Sequence, residues 1–152
     1  MAGAAQSAAS GLMARLKKET ASRHAAIERV VPLLDPRFDL VGYRGYLSAM
    51  YAFHEPIEEV LATLPGVRDT LPDFDERRKL PLLARDLDML AVTRPTEPAP
   101  LSRLPRLDST ARALGVLYVL EGSTLGGRVI SPHLESRLGI TRASGGAYLA
   151  SY

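Results

Sequence analysis

The sequence contains no cysteine and no tryptophan, and aromatic residues make up only 6% of its 152 residues. The lack of cysteine excludes disulfides, thiolate metal sites, iron–sulfur clusters and cysteine nucleophiles. No apolar run approaches the roughly 18–20 residues that a bilayer-spanning helix needs, so we expect no membrane association. The formal net charge is only +2, which is too small to favour nucleic acid as a partner.

The composition is that of an ordinary globular protein, with 46% hydrophobic and 24% charged residues. A chain of this length corresponds to about one domain. Its first ten residues are small and polar, and they lack the basic and apolar regions of a secretory signal. We therefore expect a flexible tail over residues 1–10, one helical domain over residues 11–152, and a cytoplasmic protein.

Apolar residues recur at steps of three and four along the chain, and no stretch shows the alternation of a strand. This period predicts an all-α fold with helices over residues 11–34, 43–64, 73–90 and 110–139. Pro32 and the Asp35-Pro36 pair predict the end of the first helix, and Asp108-Ser109-Thr110 predicts an N-cap for the fourth. The proline-rich residues 92–105 predict a stiff connection. We expect Pro56 to kink or bend the second helix, Ser131-Pro132 to kink or break the fourth, and Gly139 to end it.

The three histidines, taken alone, are more typical of structural residues than of metal ligands. His24 and His54 each lie on the apolar stripe of a predicted helix, where packed histidines are common. His133 lies near the end of the fourth predicted helix, where a surface role is the simplest interpretation. The ligand interpretation of His24 stays open at this point.

The charged residues also have simple interpretations. A solvated helix face explains one acidic group: Glu55, Glu58 and Glu59. Glu121 lies near an apolar stripe, which predicts a buried carboxylate paired with an arginine. A basic group near His24 suits either a solvated face or a ligand that carries carboxylates, and it comprises Arg15, Lys17, Lys18 and Arg23.

Three glycines interrupt the fourth predicted helix: Gly122, Gly126 and Gly127. Each costs about 1 kcal/mol relative to alanine inside a helix. Gly115 lies seven residues before Gly122 on the same side, so these positions form a groove without side chains. Two explanations stay open: close packing against another helix, or a flat ligand that lies across the groove.

Two runs of the sequence resemble the heme oxygenase family. The run from Leu16 to Glu28, which contains His24, resembles the proximal helix that carries the iron-ligating histidine. The run from Leu117 to Ile130 is similar to the distal helix of the bacterial branch, which includes enzymes that supply bilin to bacteriophytochromes. The resemblance covers residues 11–152 and implies a multi-helical bundle with heme between the proximal and distal helices.

The resemblance implies a role for each matching residue. His24 would be the axial ligand of the heme iron, and Lys17 would pair with a heme propionate. Gly122 and Gly126 would let the distal helix pass close over the heme face, with Gly127 adding flexibility. Ser123 occupies a position where some members carry an aspartate that organises water, so the implied catalytic residues are Gly122, Ser123 and Gly126.

The resemblance also implies the reaction and its partners. Heme b would be both substrate and cofactor, and it would be cleaved to biliverdin, carbon monoxide and ferrous iron with electrons from an external reductase. A redox partner protein and a bacteriophytochrome as bilin acceptor follow from the same branch. The alternatives are a non-catalytic heme-binding or interaction module on this fold and a di-iron oxidase, which the lack of a Glu-x-x-His pair disfavours.

Family members continue into further C-terminal helices, so the resemblance implies that these helices are incomplete here. Tyr148, Leu149 and Tyr152 then look like the beginning of a helix that the chain does not complete. We expect an exposed apolar patch, with either a homodimer or a mobile segment after Thr141 as the result. The expected patch comprises Leu138, Ile140, Tyr148, Leu149 and Tyr152.

Overall fold

The computed structural model describes residues 2–100, 106–124 and 126–151, and within them all side chains except those of residues 2–10, 12, 13, 16 and 123. These described residues form seven helices and no strand, which confirms the all-α class. The helices are α1 (Ala2–Val30), α2 (Leu40–Thr63), α3 (Val67–Thr70), α4 (Phe74–Arg77), α5 (Leu80–Met89), α6 (Thr110–Thr124) and α7 (Gly127–Leu138). The chain divides into two compact units, Met1–Asp35 and Pro36–Tyr152.

The first unit consists of α1 and the turn that follows it. α1 begins at Ala2, so helical structure extends further toward the N-terminus than the sequence predicts. The domain boundary at residue 11 stays a prediction. An ion pair between Arg15 and Glu19, with N and O atoms 2.8 Å apart, links neighbouring turns of the helix. After α1, the Asp35 N–H donates to the Pro32 carbonyl, so the predicted end near Pro32 is confirmed.

The second unit begins with α2, which packs against α5. Asp39 caps α2 by accepting a 2.8 Å hydrogen bond from the Gly42 N–H. Pro56 lies inside α2 without ending it, since one missing backbone donor is a local loss that the buried helix face outweighs. That buried face comprises Tyr43, Leu47, Tyr51, His54, Pro56, Ile57, Glu58 and Leu61.

The middle of the second unit forms one hydrophobic cluster between α2, α3, α4 and α6. Its buried members are Ile57, Leu61, Val67, Phe74, Ala113, Leu117 and Leu120. Ser109 accepts a 3.4 Å hydrogen bond from the Arg112 N–H, which confirms the predicted cap of α6. The predicted single helix over residues 73–90 is instead two helices, α4 and α5, that are separated at Arg78 and Lys79.

The break in the fourth predicted helix lies at its glycines and not at its proline. α6 ends at Thr124, Gly126 precedes α7, and Pro132 lies inside α7. Of the two predicted outcomes at Ser131-Pro132, a kink or a break, the break is wrong, because α7 continues through Pro132. The proline removes only one hydrogen bond from the helix. Gly139 adopts φ 68° and ends α7 as predicted.

The segment after α7 folds back into the second unit. Residues 147–150 form a turn, so no helix begins at Tyr148 within the described residues. Ile140, Tyr148 and Leu149 are buried, which makes the predicted exposed patch wrong for these three residues. Leu138 is half-buried, and Tyr152 lies outside the described residues. The sequence pattern did not predict this burial, because the residues that cover the segment come from α2 and α5, far earlier in the chain.

We call residues 145–150 the C-terminal turn, and buried polar groups hold it. The Tyr43 hydroxyl donates a 2.8 Å hydrogen bond to the Gly145 carbonyl. Asp86 of α5 accepts from the Ala147 N–H at 2.9 Å and from the Tyr148 N–H at 2.8 Å. The Tyr148 hydroxyl lies 3.4 Å from His54 Nε2. These contacts join the turn to both α2 and α5.

Among the described residues, α6 and α7 taken together are long and apolar enough, by length and composition only, to cross a membrane. Length and composition alone carry little weight, because the core helix of a protein in water passes the same test. The expectation of no membrane association stays a prediction.

Candidate functional site

The glycine run implied by the resemblance lies at the end of α6 and the start of α7. Gly122 is in the last turns of α6, and the backbone of Ser123 continues that helix. The Ser123 side chain lies outside the described residues. Gly126 stands before α7 with an ordinary right-handed backbone, and Gly127 is the first residue of α7. The three glycines therefore occupy three different structural positions.

One face of α6 is open to solvent and carries two glycines beside two exposed apolar side chains. Gly115, Tyr118, Val119 and Gly122 follow one another at helical steps of three, one and three, so they share this face. Tyr118 and Val119 are 52% and 66% exposed. A Cβ built on Gly115 or Gly122 would meet no described atom within 4 Å. We call these four residues the glycine face of α6.

Gly127 serves the opposite purpose and permits close packing. A Cβ at this position would overlap the Leu149 carbonyl oxygen and lie 2.8 Å from the Leu149 carbonyl carbon. The two explanations of the glycine groove therefore apply to different residues. Close packing against backbone explains Gly127, whereas packing within the described residues does not explain Gly122. The implied contact between Gly127 and heme stays a prediction.

Lys17 and His24 lie on α1, in the first unit. They are seven residues apart, which is about two helical turns, so they share one face of α1. Both side chains are exposed. Within the described part of the chain, the His24 ring has no hydrogen-bond or ion-pair partner. An exposed imidazole without a partner is free to bind a metal through either ring nitrogen.

The described residues contain no cluster of three or more histidine and carboxylate side chains that could hold a metal ion. They therefore offer no ligand set for the di-iron alternative, which needs several carboxylates. A heme iron needs only one axial histidine from the protein, because the porphyrin supplies four nitrogens. His24 is an exposed histidine of the kind this requires, and its role as the iron ligand stays a prediction.

Glu58 is buried, and its interpretation as part of a solvated helix face is therefore wrong. Only 2% of its surface is exposed. Its Oε1 accepts from the Lys79 N–H at 2.8 Å and the Leu80 N–H at 3.1 Å, and thereby caps α5. Its Oε2 accepts from Arg78 Nε at 3.2 Å. The pattern of α2 contained the signal, since Glu58 falls four residues after His54 on the buried stripe.

Glu58 also orients His54. The Nδ1 atom of His54 lies 3.2 Å from Glu58 Oε1, and both side chains are buried. Burial by itself would raise the pKa of Glu58, but hydrogen bonds from His54 and from the Lys79 and Leu80 N–H groups outweigh it, so the pKa lies below its ordinary value. An ionised Glu58 only accepts, so His54 Nδ1 donates and Nε2 faces the Tyr148 hydroxyl. His54 is a structural residue, as its position on the stripe predicts.

Glu121 has the arginine partner that the sequence predicts, but its side chain is half-buried and not buried. Its carboxylate lies 3.9 Å from Arg77 Nη1 and 4.0 Å from Lys79 Nζ. Burial lowers the pKa of Lys79, while Glu121 and Glu58 oppose that shift. Since Glu121 immediately precedes Gly122, these ion pairs hold one side of α6 and leave the glycine face on another side.

The family comparison matches the distal and proximal runs together. The heme oxygenase family model matches residues 10–152, which is nearly the whole chain. The chain belongs to the heme oxygenase family. Its helices have that family's all-α fold, and the resemblance read from the two runs is confirmed at family level.

A curated relative supports the same family. A heme oxygenase from Xanthomonas campestris pv. campestris (strain 8004) is 38% identical over 94 residues, which cover 62% of this chain and 51% of that protein. The match thus spans about half the length of that heme oxygenase. No solved structure matches this heme oxygenase family member.

Proposed function

We propose that the protein binds heme and cleaves the porphyrin oxidatively to biliverdin, carbon monoxide and ferrous iron, with electrons from a separate reductase. One observation carries the proposal: Gly122, in the run that resembles the distal helix, is open on an exposed, largely apolar face. A helix keeps a glycine there at a cost of about 1 kcal/mol, and no packing contact among the described residues explains it. A flat apolar ligand does.

The described residues fit heme in type. We assign the iron ligand to His24 and a propionate contact to Lys17, which carries a cation two turns away on the same face. Gly122 and Gly126 leave backbone accessible to the porphyrin plane, and Tyr118 and Val119 add apolar surface beside it. Heme, when bound, supplies both the iron and the porphyrin carbon that is oxidised.

The chain's own residues have limited tasks in this reaction. The His24 imidazole would hold the iron, Gly122 and Gly126 would keep side chains away from the reacting side, and Lys17 would orient the propionate edge. Ser123 stands where a water-organising residue acts in part of the family, so we assign it a role in that water structure. A cytoplasmic location, an external reductase as redox partner, a bacteriophytochrome as bilin acceptor and a homodimer belong to the same proposal.

The proposal is tested by adding hemin and a reductant to the protein under air and recording the visible spectrum. We expect the Soret band to decay while a broad red bilin band grows, with carbon monoxide trapped by ferrous myoglobin. A stable Soret band with no carbon monoxide would favour the non-catalytic heme-binding module. No Soret shift on hemin addition would contradict both functions.

A further inference from the structure

The carboxylate of Asp86 fixes the C-terminal turn from a distance along the chain. Asp86 lies on α5 and is fully buried. Each of its two oxygens accepts one backbone N–H: Oδ1 from Ala147 at 2.9 Å and Oδ2 from Tyr148 at 2.8 Å. Because two separate oxygens hold two consecutive amides, the turn can neither slide nor rotate without losing a charge-assisted hydrogen bond.

The C-terminal turn also limits where α7 can begin. The Leu149 carbonyl follows the two held amides directly, and it touches the backbone of Gly127 so closely that no Cβ fits. Gly127 opens α7, and the carbonyl of Gly126 accepts from the Val129 and Ile130 N–H groups. The place of the Leu149 carbonyl therefore decides the place of the α6–α7 junction.

A buried carboxylate is costly to retain for stability alone, because burial raises the pKa of Asp86 and an apolar side chain would fill the same space without that cost. The groups that act on it electrostatically are Arg85 of its own helix and Tyr43 of α2. What an apolar side chain would lack is the pair of acceptors that fixes the turn.

We propose that Asp86 is a positioning residue for the glycine run: through the C-terminal turn and the Leu149–Gly127 contact, it sets the α6–α7 junction and so the surface offered to heme. The link to heme rests on the proposed function, whereas the link to the junction does not. Asp86 does not touch the ligand in this scheme. It acts through backbone atoms of Leu149 and Gly127.

The first test uses the unchanged chain without heme. Native-state hydrogen exchange in increasing denaturant should show the Tyr148 amide and the Ser131 amide opening in one unit, with the same denaturant dependence. If the C-terminal turn opens while the first turns of α7 stay protected, the coupling is wrong. This measurement needs no variant and no hemin, so it decides the structural half alone.

The second test compares Asp86→Asn with Asp88→Asn. Asp88 lies two residues later on α5, is exposed, and pairs with Arg94 at the surface, so it matches the substitution and the charge change. In Asp86→Asn we expect exchange at Tyr148 and Ser131 to rise together by about tenfold or more. The hemin dissociation constant should rise by a similar factor with a changed ferric spectrum, and Asp88→Asn should change neither.

If Asp86→Asn speeds exchange at Tyr148 but leaves Ser131 and the hemin spectrum unchanged, Asp86 only anchors the turn and the proposal fails. Gly127→Ala probes the same contact from α7 with Asp86 intact, and Gly45→Ala, at an open helical glycine, is its control. Wild-type protein that binds no hemin would contradict the proposed function, while the exchange results would still decide the junction.

Discussion

Single buried residues hold the second unit together, and Glu58 is the clearest case. Its carboxylate accepts from His54, from Arg78 and from two backbone amides at the start of α5. No other side chain among the described residues could accept all of these donors from that place. Removing its charge therefore leaves several buried donors without an adequate acceptor.

We expect Glu58→Gln to lower the free energy of unfolding at pH 7 by about 2–3 kcal/mol. Because the folded-state pKa of Glu58 is depressed, its contribution is complete above the ordinary glutamate pKa of about 4.3 and is lost as the pH falls through the lower folded value. Urea denaturation at pH 7 and in acid should show that the free energies of unfolding of the unchanged protein and of Glu58→Gln converge as the pH falls.

The control for this substitution is Glu59→Gln on the exposed side of α2. It makes the same chemical change one residue away, and we expect an effect within about 0.5 kcal/mol. Equal losses for both variants would mean that charge on α2, and not the buried hydrogen bonds, determines the stability.

His24 allows a second prediction at the residue scale. His24→Ala should abolish the histidine-ligated ferric spectrum of the hemin complex, and added imidazole should restore part of it, because a free imidazole can occupy the vacated position. His133→Ala is the matched control, and its spectrum should not change. A spectrum that survives His24→Ala but is lost in His133→Ala would contradict the assignment.

At the scale of elements, the α6–α7 run predicts opposite signs for one substitution. Gly122→Ala should raise the free energy of unfolding by up to about 1 kcal/mol, because the site is open and alanine favours the helix. Gly127→Ala should lower it by about 2 kcal/mol or more, because the Cβ would overlap the Leu149 carbonyl. Thermal and urea denaturation of the apo protein measure both.

A larger side chain at Gly122 tests heme binding separately from stability. Gly122→Leu should leave the apo protein folded but weaken hemin binding, since the leucine would stand on the glycine face. If the apo protein unfolds on this substitution, close helix packing and not ligand binding explains Gly122.

The helical period carried most of the element-level information. It placed α2, the cap of α6 and the Gly139 stop correctly, because these depend on neighbours three to four residues away. It misjudged the division between α4 and α5, because the cap of α5 is Glu58, some twenty residues earlier. It also predicted a kink or a break at Ser131-Pro132, and α7 continues through this position.

At the scale of the whole molecule, the division into units predicts a separable domain. A chain that begins at Pro36 keeps the complete hydrophobic cluster, since all of its members lie in the second unit. We expect this chain to unfold in one cooperative transition, followed by circular dichroism in urea. It should not bind hemin, because it lacks Lys17 and His24.

The comparison for the shortened chain is the full chain with His24→Ala. Both should lack the ligated spectrum, and both should keep a cooperative transition. A shortened chain without such a transition would show that the second unit depends on the first.

The candidate site was predictable only where a motif is local in sequence. The runs around His24 and Gly122 carry the family resemblance by themselves, since each is one short continuous stretch of sequence. The contact of Gly127 with Leu149 and the pairing of Asp86 with Ala147 and Tyr148 join distant segments, and no periodicity reports them. Gly127 therefore looked like a source of flexibility, whereas it is a tight packing point.

The long separations in these contacts affect the protein while it is being made. Tyr148 follows Asp86 by 62 positions and His54 by 94 positions. At a synthesis rate of about 5–20 residues per second, the nascent chain carries these polar groups for several seconds before their partners exist. Contacts between distant residues also close slowly. During that interval the chain is open to chaperones and proteases, and slowly translated codons after residue 86 would lengthen it.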